Sequence, residues 1–453
     1  MTAPTIIIGA GLAGWTTVRE LRKLEPTTPL LLITADSGDF YAKPSLSNAL
    51  QQKRAPAQLV TTLAAKMAET HNLRVLAHTR VLAIDPVART LRSTQGEFHY
   101  RQLVLATGAQ PIRLPLAGDA ADQVQSINSL DDFSVFYQRL TNADQAGTAP
   151  TAGGVPLDPQ PSHEHPARHV LIMGAGLIGC EFANDLAGAG YRVSVVDPSN
   201  GPMTALLPAP ASAQLQQALG DLGVRWHFGA TVKAVNWAPT GSPDPAGAAP
   251  ASGPASRPTP VTQHSGALQV ELSNGQLARV DIVLSAIGLR SNLELAQAGG
   301  LVCERGIVVD ATLRTSSPGI YALGDSAQYA SGLWGATPEA AAAPVAGGRT
   351  LPYVMPIMSA ARALAATLAG TPTAVVFPLM PVAIKTPALP IVVAAPAPGT
   401  PGQWHNAEPG QWQFMDEQQQ VRGFVLTGKQ TARRAEHARL VLGQRAASTI
   451  SHP

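Results

Sequence analysis

Two glycine-rich turns occur in one chain of 453 residues, and each follows a short apolar run. The first turn is Gly9-Ala10-Gly11-Leu12-Ala13-Gly14, and the second, about 165 residues later, is Gly174-Ala175-Gly176-Leu177-Ile178-Gly179. Glycines at this spacing, between a strand and a helix, are typical of a turn that holds the pyrophosphate of a dinucleotide. Two such turns therefore predict two dinucleotide-binding units, between which electrons can pass.

Each turn belongs to a strand–helix–strand pattern. We predict a first unit with strands at 5–8 and 30–34 around a helix at 12–23, and a second with strands at 170–173 and 192–196 around a helix that ends near 189. Apolar runs at 103–108 and 282–288, each ending in glycine, predict a strand that closes each unit. The predicted fold class is α/β, with two Rossmann-like domains and the second inserted into the first.

The domain bounds follow from these units. We expect the first domain at 1–115 and 297–369, the second at 116–296, and a small C-terminal α+β domain at 370–453. A helix at 356–368 precedes the last boundary, with Pro356 in its first turn. Stretches rich in Ala, Pro, Gly, Ser and Thr at 141–166, 238–266 and 330–349 are predicted to be surface loops without chemistry.

Composition and charge exclude several classes of protein. The formal net charge is +2, which gives no global argument for a nucleic-acid partner or an anionic membrane. Two cysteines, Cys180 and Cys303, exclude a disulfide framework and a CxxC redox pair. The sequence shows no signal peptide, no run of 18 apolar residues and no metal-ligand motif, so we expect a cytoplasmic protein without a metal site.

The segment from Thr315 to Asp325 combines a threonine, a short turn, an apolar strand and a Gly-Asp pair. It resembles the second FAD motif of the flavoprotein reductases that contain two dinucleotide domains. That resemblance implies that Gly324 keeps the backbone close to FAD. It also implies that Asp325 accepts a hydrogen bond from the ribityl chain.

An acidic residue is expected after the second strand of each unit, where it binds a ribose hydroxyl. In the first unit this position is Thr34, with Asp36 two residues later, so either Asp36 or the backbone near Thr34 and Ala35 binds the adenosine ribose. In the second unit it is Asp197, which favours NADH because a carboxylate repels the 2′-phosphate of NADPH. Alternatively, Asp197 begins a turn, because it directly precedes a proline.

Residues 40–47 are similar to the segment that covers the flavin ring in reductases that serve small iron proteins. Family members that act through a thiol carry a cysteine in this part of the chain, whereas this sequence has none, so we expect electrons to leave singly. In related reductases the glutamate at the Glu181 position lies near the Lys43 position, which implies a pair that orients the nicotinamide. The alternative for Glu181 is a solvated residue in a first helical turn. Cys180 is expected to pack as an inert thiol.

The whole chain, apart from the three loop stretches, is most similar to the bacterial rubredoxin reductases. The similarity includes Ile33-Thr34-Ala35-Asp36, Lys43-Pro44, the run 174–186 and Lys385-Thr386-Pro387. The more specific parts are the Gly-Cys-Glu-Phe-Ala-Asn-Asp run at 179–185 and the Lys-Thr-Pro segment, whereas the glycine-rich turns are common to the whole superfamily. The resemblance implies that the helix near Pro356 directs its N-terminus at the flavin. It implies that catalysis uses Lys43 and Glu181, and that the cofactors FAD and NADH contact Gly9, Gly11, Leu12, Ala13, Gly14, Thr34, Ala35, Lys43, Val81, Thr107, Gly108, Gly174, Gly176, Leu177, Gly179, Glu181, Asp197, Gly288, Gly324, Asp325, Val354 and Lys385.

The resemblance implies an NADH:rubredoxin oxidoreductase that passes a hydride to FAD and then single electrons to rubredoxin. Alternatives are a reductase for ferredoxin or flavorubredoxin, and a flavin redox sensor with slow turnover. From residue 421 onward one carboxylate, Glu436, accompanies six basic residues, and such a face would attract a small acidic iron protein. The basic residues are Arg422, Lys429, Arg433, Arg434, Arg439 and Arg445. A solvated helix face is the alternative explanation for these charges.

Overall fold

A computed structural model describes residues 3–141, 168–239, 266–330 and 348–449, apart from 378, 380 and 398, and no side chain after 441. Most of the three stretches predicted to be surface loops lie outside the described residues. In residues 3–141 the elements are β1 Thr5–Ile8, α1 Leu12–Leu24, β2 Leu30–Ile33, β3 Phe40–Tyr41, β4 Val60–Thr62, α2 Ala64–Thr70, β5 Arg74–Leu76, β6 Val81–Asp85, β7 Thr90–Ser93, β8 Gly96–His99, β9 Gln102–Leu105, β10 Ala109–Pro111 and α3 Leu130–Thr141.

The remaining elements complete two further parts of the chain. The middle part contains β11 His169–Met173, α4 Leu177–Gly188, β12 Arg192–Asp197, α5 Ala209–Asp221, β13 Arg225–Phe228, β14 Val232–Trp237, β15 Leu268–Leu272, β16 Leu277–Val280, β17 Ile282–Ser285, β18 Leu289–Ser291 and α6 Glu294–Ala298. The last part contains β19 Ile307–Val308, β20 Ile320–Ala322, β21 Ala327–Gln328, α7 Val354–Leu368, β22 Val382–Ile384, β23 Ile391–Ala394, β24 Gly402–Glu408, β25 Gln411–Asp416, β26 Val421–Thr427 and α8 Arg434–Thr449.

Two parallel sheets form the framework. The first has the strand order β20-β9-β1-β2-β5, and the second has the order β13-β12-β11-β17. Their strands are continuous apolar runs because both faces of a parallel sheet are covered. Since β20 returns to the first sheet after the second sheet is complete, the predicted α/β class with two dinucleotide domains, one inserted in the other, is confirmed. The exact domain bounds stay a prediction.

The two domains are connected by paired strands. β10 leaves the first domain and β18 returns to it, and the two form an antiparallel ladder in which Pro111 lies opposite Leu289. Small antiparallel sheets, β6-β7-β8 in the first domain and β14-β15-β16 in the second, lie beside the parallel sheets. The entry to and exit from the second domain are therefore neighbours in space.

The C-terminal domain is an antiparallel sheet with the order β22-β23-β26-β25-β24, packed against α8. One face of the sheet packs with α8 to form a small core of its own, whereas the other face joins a larger core. One buried cluster joins Leu46 and Leu50 of the first domain, Phe182 of α4, and Ile384 and Ile391 of the C-terminal sheet. All three domains therefore pack together around α4.

Helix α7 begins at Val354, two residues earlier than the sequence indicated. Proline at the third helical position is tolerated because the first N–H groups of a helix have no intrahelical partner. The residue Pro356 therefore remains in the first turn, but it does not open the helix. Tyr353 is the N-cap, with extended backbone angles.

Candidate flavin and nicotinamide site

The first glycine-rich turn has no room for side chains at two of its three positions. A Cβ atom on Gly9 would lie 2.2 Å from the carbonyl oxygen of Ala106, and Gly9 has a φ of +109°. A Cβ atom on Gly14 would lie 1.9 Å from the carbonyl oxygen of Gly9. Helix α1 can therefore pack this close to the turn because residue 14 has no side chain. At Gly11, by contrast, no atom lies within 4 Å of a Cβ position. The open space there, at the N-terminus of α1, fits the pyrophosphate of a dinucleotide.

The second glycine-rich turn repeats this geometry. A Cβ atom on Gly179 would lie 2.0 Å from the oxygen of Gly174, and Gly174 has a φ of +102°. The Gly176 position again faces open space, and α4 begins at Leu177 with unpaired N–H groups. In both halves the start of the helix therefore lies at a site that fits an anion. The residues at these starts are Leu12 and Ala13 in the first half and Leu177 in the second.

The residue after the second strand differs between the two halves. In the first half the Thr34 hydroxyl donates to Asp36 Oδ1 at 2.5 Å, and the Gly38 N–H donates to the same oxygen at 3.0 Å. One Asp36 oxygen thus shapes the local turn, while Ala35 is exposed. The choice between Asp36 and the backbone near Thr34 stays open.

In the second half Asp197 contacts the glycine-rich turn itself. Its Oδ2 accepts the Ala175 N–H at 2.6 Å, and its Oδ1 accepts the Ser199 N–H at 2.8 Å. The second contact forms the turn that was the alternative explanation for Asp197. The first places the carboxylate beside the predicted nucleotide site, so the two interpretations are compatible.

The Gly-Asp pair lies against the first glycine-rich turn. Gly324 has a φ of +77°, and a Cβ atom there would lie 2.9 Å from the Cβ atom of Ala13. The buried Oδ1 atom of Asp325 accepts no hydrogen bond from the part of the protein that the structure describes. Burial raises the pKa of Asp325, and the charge of Lys43 opposes the shift. A buried acceptor of this kind fits the hydroxyl donors of a ribityl chain.

Lys43 opens a short 3-10 helix at residues 43–48. Its Nζ atom donates to Asn128 Oδ1 at 3.0 Å. Although the residue is exposed, burial of its ammonium group lowers its pKa, while Asp325, Asp132 and Asp36 oppose that shift. Lys43 and Asp325 therefore lie close enough to influence each other electrostatically.

Glu181 pairs with Lys385, and the expected pairing with Lys43 is not what the structure shows. Glu181 Oε2 forms an ion pair with Lys385 Nζ and accepts the Ser47 hydroxyl at 2.6 Å. Its Oε1 accepts the Lys385 N–H at 2.9 Å. Lys43 lies at the start of the 3-10 helix, whereas Ser47, four residues later, is the residue that contacts Glu181.

Glu181 is only 1% exposed, so the alternative of a solvated first-turn glutamate is wrong. An unpaired carboxylate at this depth would be strongly destabilising, which explains why an ammonium group and a hydroxyl converge on it. Ser47 was missed as a site residue, because nothing in its local pattern distinguishes it from a polar residue of a short helix. Cys180, its neighbour in α4, is buried, and burial raises the pKa of its thiol, as expected for an inert cysteine.

The other expected cofactor contacts lie beside the β10–β18 ladder, on β6 and at the start of α7. Gly108 and Gly288, with φ of +67° and +120°, flank the β10–β18 ladder, and the Thr107 hydroxyl donates to the Asn292 carbonyl at 3.1 Å. Val81 begins β6, close to Thr34, whose carbonyl accepts the N–H of Thr79 at 2.7 Å. Val354, at the first position of α7, is 42% exposed. Their roles as FAD contacts stay predictions.

Two of the basic residues counted near the C-terminus form ion pairs. Arg422 pairs with Asp416 at 2.5 Å, and Arg433 pairs with Glu408 at 3.0 Å and with Glu436 at 2.9 Å. Asp416 and Glu408 precede residue 421 and were therefore missing from the count of charges. The basic character of this face is weaker than the sequence count indicated.

In the described part of the chain no three His, Cys, Asp or Glu residues are grouped as a metal ion would require. None of the helices within those residues is long and apolar enough to cross a membrane.

Residues 3–348 match the family described as pyridine nucleotide-disulphide oxidoreductase. The chain belongs to this family. Residues 374–441 match a second description, the rubredoxin binding C-terminal domain. The resemblance inferred from the sequence is thereby confirmed, and with it the prediction of an oxidoreductase that uses FAD and a pyridine nucleotide.

Among its relatives the chain is 37% identical to a rubredoxin-NAD(+) reductase of Alcanivorax borkumensis, over 94% of this chain and 95% of that one. It is 37% identical to a nitric oxide reductase FlRd-NAD(+) reductase of Aeromonas salmonicida, over 83% and 79% of the two chains. In the crystal structure of a covalent putidaredoxin reductase–putidaredoxin complex, one chain has the same fold with a TM-score of 0.74 at 21% identity, covering 97% of this chain and 93% of that one.

Proposed function

We propose that the protein is a cytoplasmic, FAD-dependent NADH:rubredoxin oxidoreductase. The observation that carries the proposal is the combination of two anion-binding turns with a C-terminal domain of the rubredoxin-binding type in one chain. When bound, FAD would supply the chemistry that converts a hydride from NADH into single electrons. The residues of the chain bind and orient both nucleotides and bring the electron acceptor close.

FAD is bound by the first half of the site. Gly11, Leu12 and Ala13 present the N-terminal end of α1 to the pyrophosphate, where the N–H groups and the helix dipole stabilise negative charge. Asp325 supplies the buried acceptor for a ribityl hydroxyl. The N-terminus of α7 contributes a second partial positive charge, which favours a flavin that has accepted electrons.

NADH binds at the second glycine-rich turn, with Asp197 beside its ribose. The carboxylate already accepts the Ala175 N–H, so its position is fixed before the nucleotide arrives. Two free ribose hydroxyls can donate to such a carboxylate, whereas a 2′-phosphate is repelled by it. NADH is therefore the preferred reductant.

The charges of Lys43, Lys385 and Glu181 orient the reacting rings. Lys43 contacts Asn128 and lies near Asp325, while Lys385 neutralises Glu181 at the domain junction. No thiol takes part, because burial raises the pKa of both Cys180 and Cys303 and the 40–47 segment has no cysteine. The acceptor is therefore a one-electron carrier, and rubredoxin is the carrier that the C-terminal domain fits.

Flavorubredoxin is the second candidate acceptor. It is supported by the relatives of similar identity that are named as nitric oxide reductase FlRd-NAD(+) reductases. The chemistry on this chain is the same for each acceptor, because in both cases electrons would leave the flavin one at a time. They differ only in the partner bound by residues 374–441.

Stopped-flow absorbance of the purified, FAD-loaded protein tests the proposal. NADH should bleach the flavin band rapidly, NADPH should do so slowly, and oxidised rubredoxin should restore the band within a few turnovers. Protein that stays colourless after incubation with FAD would refute the flavin site. A bleached flavin that neither rubredoxin nor flavorubredoxin reoxidises would favour the redox-sensor alternative instead.

A further inference from the structure

Three polar residues on one face of α4 contact both of the other domains. Glu181, Asn184 and Asp185 are spaced three and four residues apart, so they share a face of the helix. Each is about 1% exposed. We call this trio the α4 clamp. The Gly-Cys-Glu-Phe-Ala-Asn-Asp run that marks the resemblance to rubredoxin reductases contains all three residues, yet the proposed chemistry uses only Glu181.

Asp185 holds the first domain. One carboxylate oxygen accepts the Leu50 N–H at 3.0 Å, and the other accepts the Gln51 N–H at 2.8 Å. These amides directly follow the 3-10 helix at residues 43–48 that contains Lys43 and Ser47. The packing is close, because a Cβ atom on Gly188, at the end of α4, would lie 2.7 Å from the Gln51 side chain.

Asn184 holds the C-terminal domain. Its Oδ1 accepts the Ala388 N–H at 3.0 Å, within the turn that follows Lys385. The turn is also closed by the Thr386 hydroxyl, which donates to the Leu389 carbonyl at 2.8 Å. Glu181 supports the same segment from one helical turn away, through the Lys385 N–H. The segment with the second lysine is thus fixed to α4 by two backbone contacts.

We propose that Asn184 and Asp185 are positioning residues. Asn184 holds the segment that contains Lys385, and Asp185 holds the segment that contains Lys43. Both residues lie on α4, the helix whose N-terminus binds NADH. Because α4 begins at the second glycine-rich turn, movement of the nicotinamide domain carries both lysine segments with it. This inference rests on the proposed function for its catalytic meaning. Its structural part can be tested without any turnover.

The clamp depends on pH through Asp185. Burial raises its pKa to about 6, while the amides of Gln51, Leu50 and Ala49 and the charge of Lys385 oppose the shift. Glu181 faces the same junction and is neutralised there by Lys385. Above pH about 6 the carboxylate accepts both amides, and below it the added proton removes one acceptor. The flavin-reduction rate should therefore fall as the pH drops through about 6.

The first test measures hydrogen–deuterium exchange of the FAD-loaded, full-length protein. Asp185→Asn keeps the shape of the side chain but replaces one acceptor by an NH2 group, so exchange at residues 50 and 51 should accelerate about tenfold. Asn184→Ala should instead accelerate exchange at residue 388. Asp221→Asn is the control, because Asp221 lies exposed on α5 and contacts Gln217 within the same helix. Exchange like that of the control in both variants would overturn the clamp.

The second test measures each half-reaction in the same variants. Asp185→Asn should slow flavin reduction by NADH about tenfold and remove the fall in rate near pH 6, because misplacement of reacting groups is costly. Asn184→Ala should slow that step less than Asp185→Asn does, because Glu181 still holds the Lys385 N–H, and it should slow rubredoxin reduction several-fold. Half-reaction rates and pH profiles equal to those of the control in both variants would refute the positioning role.

The two experiments distinguish failure of the proposed function from failure of the clamp. If the wild-type flavin is not reduced by NADH, the proposed function fails, whereas the exchange pattern still decides whether the clamp holds the segments. If Asp185→Asn does not fold, Asn184→Ala and Asn184→Asp decide, because aspartate keeps an acceptor for the Ala388 N–H. Exchange at residue 388 should then be fast in the first variant and restored in the second. Slow exchange in both would overturn the proposal.

Discussion

The two glycine-rich turns have nearly the same geometry, but the helices that follow them differ in what they contact. Helix α1 packs against α7, and Thr16, which occupies the position of Glu181, donates to Met358 Sδ at 3.7 Å. Helix α4 presents carboxylates and an amide to two other domains. The same anion site is therefore built once on a helix fixed mainly by apolar packing and once on a helix that adds polar contacts to its apolar packing. The second helix thereby links its glycine-rich turn to two other domains through directional hydrogen bonds.

The largest expected difference between the halves comes from filling the third glycine of each turn. Gly14→Ala places a Cβ atom 1.9 Å from the Gly9 oxygen and should give protein that does not retain FAD. Gly179→Ala makes the equivalent collision at 2.0 Å, yet the protein should keep its bound FAD and stay yellow. The rate at which NADH bleaches the flavin should fall about 100-fold. Flavin absorbance and stopped-flow rates provide both measurements. Loss of FAD in both variants would show that the two halves do not act independently.

The second comparison concerns the residue after the second strand. Asp197→Ala should reduce the preference for NADH over NADPH by about tenfold or more, because the repelling carboxylate is gone. Asp36→Ala should leave that preference unchanged, since it lies in the first half. The ratio of kcat/KM for the two nucleotides is the measurement. An unchanged ratio in Asp197→Ala would place the ribose elsewhere.

The FAD half also differs from the NADH half in the buried Oδ1 atom of Asp325, which is the proposed hydrogen-bond acceptor for the cofactor. Asp325→Asn replaces a charged acceptor by a neutral one, so FAD should bind about tenfold more weakly, while the KM for NADH should change little. FAD dissociation followed by flavin fluorescence measures the effect. If the affinity for FAD is retained in full, the orphan oxygen of Asp325 does not face the cofactor.

The smallest expected effect concerns salt. Raising ionic strength should slow turnover with rubredoxin a few-fold more than turnover with a neutral dye, because screening weakens steering between exposed charges. The effect is modest because Arg422 and Arg433 already form ion pairs within the chain. Equal sensitivity of the two reactions to salt would refute steering by this face.

Much of the fold could be predicted because its signals are local. Strands such as β1 and β11 are unbroken apolar runs, and a glycine-rich turn after each leaves few alternatives to a parallel sheet with a helix on it. The first half of the site followed from the same local patterns. The start of α7 was displaced by two residues, since proline is compatible with several positions of a first turn.

The junction could not be predicted because its contacts are distant in sequence. Glu181 and Lys385 are separated by 204 residues, and Ser47 lies 134 residues before Glu181. The resemblance implied Lys43 as the partner of Glu181, because the two positions are neighbours in related reductases, whereas the structure pairs Glu181 with Lys385. Likewise, the carboxylates that neutralise Arg422 and Arg433 become visible only when the strands of the C-terminal sheet are placed side by side.

The β10–β18 ladder has a consequence for how such a chain can arise. Because Pro111 lies opposite Leu289, the strands that lead into and out of the second domain are separated by about one strand spacing, about 5 Å. Chain segments that meet this closely allow one folding unit to be inserted into another without disturbing the sheet of the host domain.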